Sequence, residues 1–563
     1  MNKKWQIYET DETKIQELQD KYKINKLLAT ILANRNIIKQ EEIELFLKPT
    51  RNDFHDPFQI TDMEIAVKRI IEAIEKKENV TIYGDYDVDG ITSITVLKSF
   101  LKDIGLEADT YIPDRLNEGY GLNKVAIDSI VKKGCNLMIT VDCGISGIEE
   151  IEYANTLGIE TIITDHHEPG NELPNALAVI DNKRKDSKYP FRELAGVGVV
   201  FKLIQALGIK LGLKEEAYLK YLDIVCIGTI SDIVPLVDEN RVIAKLGLML
   251  VKQTQNIGLR AIMNSAGSTK VSSSTISFEV APRINACGRM GKAEDALKLF
   301  LSKNIYEVNE LAKKLNDYNR LRQDIEKGIF EEVKQKIESN NLSNNKAIIL
   351  GGKGWHHGVI GIVSSKITDM YFKPSILLSI EEDGIGKGSG RSIPGFDLHD
   401  ALMKCSDSIE KFGGHSMAVG ITVKEEKINE FIEQFERIAT EAHIDEIIPI
   451  INIDAKIDLN DINKEMVESL KQLEPFGEGN KMPIFVFKNL KIDSIRALSE
   501  GKHLKLTLKD SNNMINGIGF NIGHLAEEYR IGDKIDVAGV LEINTFNGVE
   551  SMQINIKDIM RSI

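Results

Sequence analysis

The segment Val80-Thr81-Ile82-Tyr83-Gly84-Asp85-Tyr86-Asp87-Val88-Asp89-Gly90 decides how the rest of the chain is interpreted. Its first four residues form an apolar run that predicts a strand. The carboxylates Asp85, Asp87 and Asp89 alternate directly after it, and Gly90 predicts a turn. Because carboxylates this close repel one another unless cations neutralise them, the segment indicates a metal site rather than a solvated acidic loop.

An EF-hand calcium loop is the natural alternative, since it begins with the same spacing of acids and glycine. That loop requires a bidentate Glu at its twelfth position, where this sequence has Val96, and it follows a helix rather than a strand. The segment therefore favours a metal site at the carboxyl end of a strand in an α/β sheet, where such sheets bind ligands.

Length and composition limit the classes of protein. A chain of 563 residues predicts roughly three or four domains. We find no apolar run of about 18 residues and no signal-peptide core, so we expect no membrane segment. The five cysteines are scattered without a C-x-x-C pair, which argues against disulfides or a zinc ribbon and indicates a reducing cytoplasm. The net charge of −14 means that a nucleic-acid partner requires local positive potential from metals and clustered basic residues.

The hydrophobic pattern divides the chain into five segments. We predict a helical lead-in at 1–75, an α/β lobe at 76–240, a helical connector at 241–345, a second α/β lobe at 346–445 and a β region at 446–563. Apolar runs that alternate with helical stretches predict a mainly parallel sheet in the first lobe: Val80–Tyr83, Leu137–Val141, Thr161–Thr164 and Ala178–Ile180. Apolar spacings of three and four over Ile305–Ile337 predict a long amphipathic helix that bridges two lobes.

The last segment changes to alternating strands. These strands are Lys505–Lys509, Asn516–Phe520, Lys534–Leu541 and Gln553–Lys557. Asn547-Gly548 is a hairpin signal between the last two. The pattern predicts a small β-barrel.

Further acids and histidines follow apolar runs in the first lobe. They are Asp142, the triplet Asp165-His166-His167, and Asp232. A single Asp at such a break is often a helix cap, and Asp142 or Asp232 alone could be one. Four breaks in one lobe favour a shared metal centre, and carboxylates with one imidazole and no thiolate select Mn²⁺ or Mg²⁺. The acids exceed what one octahedral ion takes, which indicates two ions.

The ordered motifs of the chain carry a family resemblance. They are Tyr83–Gly90, Ile112–Arg115, Glu118–Gly121, Val141–Gly144, Thr164–His167, Gly196–Lys202, Ser231–Leu236 and Pro282–Arg289. Together they resemble the RecJ exonucleases of the DHH phosphoesterase superfamily, from about residue 30 to the end of the chain. The resemblance implies a DHH catalytic domain, a DHH-associated substrate-binding domain and a C-terminal OB-like barrel.

The same resemblance implies the ligands of two Mn²⁺ or Mg²⁺ ions: Asp87, Asp89, Asp142, His166 and Asp232. It makes Asp142 the bridge between the ions and puts Asp85 close by. It places His167 beside the metals, contacting the scissile phosphate or shaping the leaving side.

Basic residues outside the acid motifs are candidates for phosphate binding. An isolated Arg is most often a surface ion pair, but the resemblance makes Arg115 and Arg283 or Arg289 phosphate contacts. The glycine-rich stretch Gly386–Ser392 is either a phosphate cradle or a flexible turn. Within it, Ser389 and Arg391 are our candidates for holding a terminal 5′-phosphate.

Histidines of the second lobe and residues of the β region complete the predicted substrate contacts. His356, His357 and His415 lie in motifs similar to the DHH-associated domain, although core histidines are the alternative. In the β region, charge would come from Lys502, Lys505 and Lys509 and base stacking from Phe520 and Phe546, unless these rings pack inside the barrel.

These features predict a divalent-metal-dependent 5′→3′ exonuclease that degrades single-stranded DNA to mononucleotides. The resemblance implies roles in DNA repair and recombination, with single-strand-binding protein as a partner. One alternative is a DHH phosphodiesterase acting on short oligonucleotides or cyclic dinucleotides. Another is a non-catalytic single-strand-binding scaffold, but such proteins lose metal ligands, and this chain keeps every acid and histidine named above.

Overall fold

A computed structural model of the chain describes residues 3–115, 117–546 and 549–562. The strands are β1 (Lys4–Ile7), β2 (Val80–Gly84), β3 (Ala108–Tyr111), β4 (Leu137–Val141), β5 (Glu160–Asp165), β6 (Ala178–Asp181), β7 (Ile348–Lys353), β8 (Ser375–Ile380), β9 (Ile385–Arg391), β10 (Lys411–His415), β11 (Ala418–Lys424), β12 (Ile450–Ile453), β13 (Ala455–Lys456), β14 (Phe485–Leu498), β15 (His503–Lys509), β16 (Met514–Gly519), β17 (Lys534–Phe546) and β18 (Val549–Arg561).

Helices alternate with strands in the first α/β lobe, whereas a long run of helices separates β6 from β7. The helices are α1 (Glu12–Tyr22), α2 (Lys26–Asn34), α3 (Gln40–Leu47), α4 (Met63–Lys76), α5 (Val88–Asp103), α6 (Lys124–Lys132), α7 (Ile148–Thr156), α8 (Gly196–Lys210), α9 (Glu216–Leu219), α10 (Leu222–Ser231), α11 (Asp238–Val251), α12 (Ile257–Ala266), α13 (Ser273–Thr275), α14 (Ala281–Arg289), α15 (Ala293–Leu301), α16 (Ile305–Ser339), α17 (His357–Tyr371), α18 (Leu398–Met403), α19 (Ile428–Glu441), α20 (Lys464–Ser469) and α21 (Leu525–Glu528).

The chain forms two compact units. The larger comprises Phe54–Pro235 and Val242–Ile447, and the smaller comprises Met1–Asp53, Leu236–Arg241 and Ile448–Ile563. In the part of the chain that the structure describes, no helix has both the length and the apolar character needed to cross a bilayer. The four boundaries between the five segments set from the sequence remain a prediction.

The first lobe of the larger unit contains a parallel sheet in the order β3-β2-β4-β5-β6, which confirms the predicted architecture. Every residue of β2 and β4 is buried, and this explains why both read as continuous apolar runs. Since parallel strands all point the same way, the residues that follow β2, β4 and β5 meet at one edge of the sheet.

The predicted bridging helix is confirmed as α16, whose 35 residues span about 52 Å. Its first half buries Val308, Leu311 and Leu315. Its second half buries Val333 and Ile337 in a core shared with α17. One amphipathic helix therefore packs on the connector helices α12, α14 and α15 and, through its second half, on the second lobe.

The second lobe contains a mixed sheet in the order β10-β11-β9-β8-β7, with β7 and β8 parallel and the other pairs antiparallel. One face packs on α19 through Phe431 and Phe435. The other face packs on α17, where Val359 and Ile360 meet Ile348 of β7. This is the second α/β lobe that the sequence predicts.

The smaller unit contains the predicted β-barrel. Its strands run in the order β14-β15-β16-β18-β17, and pairing of β14 with β17 closes it. The strands flanking the predicted hairpin pair antiparallel, whereas the turn residues Asn547 and Gly548 lie outside the described residues. The predicted lead-in is not wholly helical, because β1 pairs in parallel with β12. The four residues of β1 are largely exposed and show no clear alternation of apolar and polar side chains, so the sequence carries no signal for this strand.

A buried arginine fastens the inserted segment Leu236–Arg241 within the smaller unit. Arg241 is fully buried, and its guanidinium donates to the carbonyl oxygens of Phe46 (2.6 Å), Leu473 (3.1 Å) and Glu474 (3.1 Å). The same group lies 3.7 Å from the centre of the Phe46 ring. Carbonyl dipoles and an aromatic face thus compensate for the loss of hydration of this cation.

Candidate metal centre

The opening acids of the site are positioned by the junction of β2 with α5. Asp85, only 3 % exposed, follows β2 directly. Asp87 is the N-cap of α5, and its Oδ1 accepts a hydrogen bond from the Gly90 amide at 3.1 Å. Gly90 lies within α5 rather than in the predicted turn. A Cβ on Gly90 would lie 2.3 Å from the Asp85 carbonyl oxygen, so glycine is needed for this close approach.

Asp89 occupies the first turn of α5 and is fixed by the N-terminus of α8. Its two carboxylate oxygens accept hydrogen bonds from the amides of Gly196 at 2.6 Å and Val197 at 2.8 Å. Free amides at the start of a helix suit a buried anion. The carboxylate is therefore held in one orientation before any ion binds.

Residues from distant parts of the chain converge on Asp89. Nε2 of His166 lies 3.2 Å from Oδ1 of Asp142, 3.8 Å from Oδ2 of Asp89 and 3.7 Å from Oδ2 of Asp232. Asp142 follows β4 with a φ of 58°, a conformation unusual for a residue other than glycine. Asp232 comes from the end of a buried helix, α10, rather than from a strand.

Three overlapping groups of these side chains have the spacing of a metal site. They are Asp85, Asp87 and Asp142; Asp89, His166 and Asp232; and Asp142, His166 and His167. Asp142 and His166 each belong to two of the groups. The structure thus brings the predicted acid and histidine motifs together, while the role of each residue remains a prediction.

Burial and mutual repulsion dominate the electrostatics of the cluster. Burial, followed by the charges of Asp89 and Asp87, raises the pKa of Asp142 well above its usual range. Burial and the charge of Asp87 raise the pKa of Asp85 in the same direction and that of Asp89 to about 7. The charged forms of these carboxylates therefore require a compensating cation.

Unpaired buried atoms in the cluster fit a divalent ion. Oδ1 of Asp85 and both ring nitrogens of His166 have no hydrogen-bond partner among the described residues. Burial and the charge of His167 lower the pKa of His166 to about 3, so its imidazole is neutral and can act as a ligand. Carboxylate oxygens with one neutral imidazole are a donor set that accepts Mn²⁺ or Mg²⁺.

His167 is oriented by Asp165 and Tyr120, two residues to which the sequence analysis assigned no role. Oδ1 of Asp165 lies 2.7 Å from Nδ1 of His167, and the Tyr120 hydroxyl lies 3.3 Å from the same nitrogen. Although burial lowers the pKa of His167, the hydrogen bond and charge of Asp165 raise it to about 9. Both orienting residues lie inside motifs quoted above, which is the signal that could have identified them.

Several predicted phosphate-binding arginines lie close together. Burial lowers the pKa of Arg289 to about 10, and the charges of Arg115, Arg322 and Arg391 contribute to the decrease. The Arg115 guanidinium lies 5.1 Å from the centre of the Tyr86 ring, and Tyr86 stands between Asp85 and Asp87 in sequence. A cluster of like charges beside the acids is suited to hold a phosphate. Arg322 lies outside the motifs quoted from the sequence, so no sequence pattern pointed to it.

Arg283 is engaged elsewhere. Its Nε donates to Oδ1 of Asn316 at 3.1 Å, and its Nη1 donates to the carbonyl oxygen of Glu279 at 2.6 Å. The contact with Asn316 ties α14 to α16. The sequence left Arg283 and Arg289 as alternatives. The charges of the other arginines in the cluster lower the pKa of Arg289, so Arg289 is the alternative that lies near them. A substrate role for Arg283 remains a prediction.

The glycine-rich stretch that begins at Gly386 lies in the strand β9 and is not a flexible turn. Its glycines are buried towards one face of the sheet, while Lys387, Ser389 and Arg391 alternate towards the other. Nη1 of Arg391 donates to Oγ of Ser389 at 3.0 Å. A Cβ on Gly361 of α17 would lie 2.8 Å from that Oγ, so the strand and helix pack closely at the predicted phosphate contacts.

The predicted histidines have different surroundings. His356 caps α17 through its Nδ1, which accepts a hydrogen bond from the Gly358 amide at 3.1 Å. Burial and the charge of Arg115 lower the pKa of both His356 and His357, so these histidines lie near the arginine cluster. His415 is exposed on β10.

Family comparisons agree with this architecture. The model of the DHH family N-terminal domain matches residues 79–229, that of the DHHA1 domain matches 344–441, and that of the RecJ OB domain matches 453–558. The parallel sheet and its acid cluster therefore define the class of this protein as the DHH family.

Full-length relatives identify the family within that class. The chain is 39 % identical over 561 residues to the single-stranded-DNA-specific exonuclease RecJ of Bacillus subtilis, covering 99 % of this chain and 70 % of the relative. It is 33 % identical to the RecJ of Haemophilus influenzae, covering 94 % of this chain and 95 % of the relative. The chain belongs to the RecJ family.

Solved structures share the fold. The crystal structure of RecJ from Thermus thermophilus in complex with Mn²⁺ matches with a TM-score of 0.86 and 28 % identity, covering all of this chain and 80 % of that one. The corresponding complex with Mg²⁺ matches with a TM-score of 0.80 and 26 % identity, covering all of this chain and 78 % of that one.

Proposed function

We propose that this protein is a 5′→3′ exonuclease that hydrolyses single-stranded DNA to mononucleotides. The observation that carries the proposal is the buried cluster of carboxylates around a neutral imidazole, with a group of arginines beside it. The acids suit two divalent ions, and the arginines suit the phosphates of the substrate. The relatives in Bacillus subtilis and Haemophilus influenzae are single-stranded-DNA-specific exonucleases, which agrees with both.

The proposed ligands are Asp87, Asp89, Asp142, His166 and Asp232, with Asp142 shared between two Mn²⁺ or Mg²⁺ ions. When bound, such ions lower the pKa of an attacking water and neutralise charge on the leaving oxygen. The α8 amides hold Asp89 in place. His167, whose Nδ1 lies 2.7 Å from Oδ1 of Asp165, is proposed to contact the scissile phosphate or to shape the leaving side.

The 5′-phosphate site is proposed to lie on β9. Ser389 offers a hydroxyl, and Arg391 offers a guanidinium that is largely buried and already turned towards that hydroxyl. Arg115 and Arg289 add charge from the first lobe and from α14. Recognition of a terminal phosphate would set the polarity of degradation, because an internal phosphate carries one negative charge fewer.

Replacing Arg391 with alanine is expected to reduce the preference for a 5′-phosphate. A hydrogen bond to a charged group contributes about 1.5–3 kcal/mol, so kcat/KM for a 5′-phosphorylated strand relative to a 5′-hydroxyl strand should fall about tenfold or more. The matched control is Arg437→Ala, which removes the same charge from the exposed side of α19 in the same lobe. An unchanged ratio in Arg391→Ala would remove this residue from the phosphate site.

The barrel is proposed to bind single-stranded DNA. Arg496 and Lys505 are register partners on β14 and β15, so two cations stand side by side on one face. The Phe520 ring is 53 % exposed and lies edge-on to His503, with 5.3 Å between ring centres. Cations beside an exposed ring suit a flexible polynucleotide. Of the predicted lysines, Lys509 forms an ion pair with Asp493, and the Phe546 side chain lies outside the described residues.

The cellular role is proposed to be DNA repair and recombination, with single-strand-binding protein as a partner. A narrow approach to the acid cluster would admit one strand and exclude duplex. These assignments rest on the family and not on particular contacts.

End-labelled oligonucleotides test the function. With Mn²⁺ or Mg²⁺, a 5′-labelled single strand should release labelled mononucleotide at once, whereas a 3′-labelled strand should shorten before its label is released. Excess EDTA should abolish both reactions, and a blunt duplex should resist. Release of the 3′ label first would contradict the polarity. Cleavage of dinucleotides alone, or binding without cleavage, would contradict the exonuclease proposal.

A further inference from the structure

A cavity beside the C-terminal half of α5 takes no part in the proposed reaction. Its volume is about 600 Å³, within the range of small-molecule sites. α5 lines it with residues at helical spacing: Thr95, Lys98, Ser99, Lys102 and Asp103. The other walls come from the start of α10, the connection between α11 and α12, and the end of α15. All of these elements belong to the larger unit.

The mouth of this cavity is rich in cations. The cavity is lined by four lysines, which are Lys98, Lys102, Lys220 and Lys303, and by three acids, which are Asp103, Glu107 and Asp223. The lysines therefore outnumber the acids here, although the chain as a whole has a net charge of −14. Asp103 is already engaged, because the Lys220 ammonium lies 2.5 Å away and the Tyr221 hydroxyl donates to it at 2.6 Å. The Lys102 ammonium is paired with Glu107 at 3.2 Å, and that of Lys98 donates to the carbonyl oxygen of Ala108. Each ammonium group carries three N–H donors, so Lys102 and Lys220 can still join Lys303 in binding a phosphate.

The interior of the cavity has a different character. Ile224, Leu250 and Phe300 provide apolar surface. Between them lies the Asp223 carboxylate, 7 % exposed, which accepts hydrogen bonds from the Thr254 hydroxyl and, at 2.8 Å, from the Ile224 amide. A carboxylate oxygen has a second lone pair to offer. An apolar wall with one fixed acceptor suits a flat heteroaromatic ring that carries N–H groups, as a nucleobase does.

We propose that this cavity binds a 5′-mononucleotide, with the phosphate at Lys102, Lys220 and Lys303 and the base beside Phe300 and Asp223. The site is distinct from the acid cluster, because Asp87 and Asp89 stand at the opposite end of α5, a helix of 16 residues and about 24 Å. The ligand is of the same chemical class as the product of the proposed reaction, but the site does not depend on that reaction.

Equilibrium dialysis with 5′-dAMP tests the proposal. The measurement uses the Arg391→Ala variant in EDTA. EDTA removes any metal from the acid cluster, and the substitution removes a proposed phosphate contact of the reaction site. This protein should bind one equivalent of dAMP, and deoxyadenosine should bind at least tenfold more weakly because it lacks the phosphate. Adding Lys303→Glu, on the exposed α15–α16 connection, should weaken dAMP binding at least tenfold.

Two further variants control the measurement. Lys132→Glu makes the same charge change on the exposed side of α6, away from the cavity, and should leave binding unchanged. Ser99→Trp fills the cavity and should abolish binding. The proposal is overturned if the Arg391→Ala background binds no dAMP, if deoxyadenosine binds equally well, if Lys303→Glu behaves like Lys132→Glu, or if Ser99→Trp still binds.

Discussion

Asp142→Ala is expected to lower the rate of single-strand cleavage about 10³-fold, equivalent to about 4 kcal/mol of activation free energy. Asp142 lies within two of the three candidate metal-binding groups and 3.2 Å from the neutral imidazole of His166. Its removal would disturb both proposed ions at once. The measurement is single-turnover digestion of a 5′-labelled oligonucleotide in saturating Mn²⁺.

Two readouts separate loss of a ligand from loss of the fold. In EDTA, Asp142→Ala should melt at the wild-type temperature or above, because burial and neighbouring acids disfavour the charged form of this carboxylate. Oligonucleotide binding should remain close to wild type. The matched control is Asp109→Ala on the exposed side of β3, which should keep full activity. Near-normal turnover in Asp142→Ala would refute its role as a shared ligand.

Gly196→Ala is expected to lower kcat about 10²-fold without removing any polar group. A Cβ at this position would lie 2.7 Å from Oδ1 and 2.8 Å from Cβ of Asp142, so either that side chain or the start of α8 must move. The same amide donates to Asp89. A displacement of about 1 Å at a reacting centre costs about 10²-fold in rate. The concentration of Mn²⁺ needed for half-maximal activity should rise as well.

The control for this substitution is another glycine in a helix. A Cβ on Gly328 of α16 would have no atom within 4 Å. Gly328→Ala should therefore keep wild-type kcat and Mn²⁺ dependence, and it should raise the free energy of unfolding by about 0.5–1 kcal/mol. Wild-type kcat and Mn²⁺ dependence in Gly196→Ala would show that close packing at α8 does not position the acids.

Much of the architecture could be predicted from the sequence because it depends on local periodicity. The apolar runs before Asp85, Asp142 and Asp165 coincide with β2, β4 and β5, and the three-and-four spacing from Ile305 coincides with α16. A run of alternating apolar residues likewise indicates the strands of the barrel. Neighbouring residues determine these patterns, so a linear reading is sufficient.

Glycine-rich and weakly patterned segments were harder to interpret. The stretch that contains Ser389 and Arg391 is the strand β9, because its glycines lie against the bulky side chains of adjoining elements, such as Leu378 and Ile421. Gly90 is required by the close approach of the Asp85 carbonyl group at the β2–α5 junction and not by a turn. A linear sequence does not report which chain segment will lie against a missing side chain.

The sequence by itself determined that this protein carries carboxylate and imidazole groups able to hold hard metal ions at the ends of α/β elements, since residue type sets donor chemistry. The tertiary structure alone decided that Tyr120 approaches His167, that Asp232 reaches the cluster from a helix, and that Arg283 is engaged with α16. These outcomes depend on distances between residues far apart in the chain, and only packing of the folded elements sets those distances.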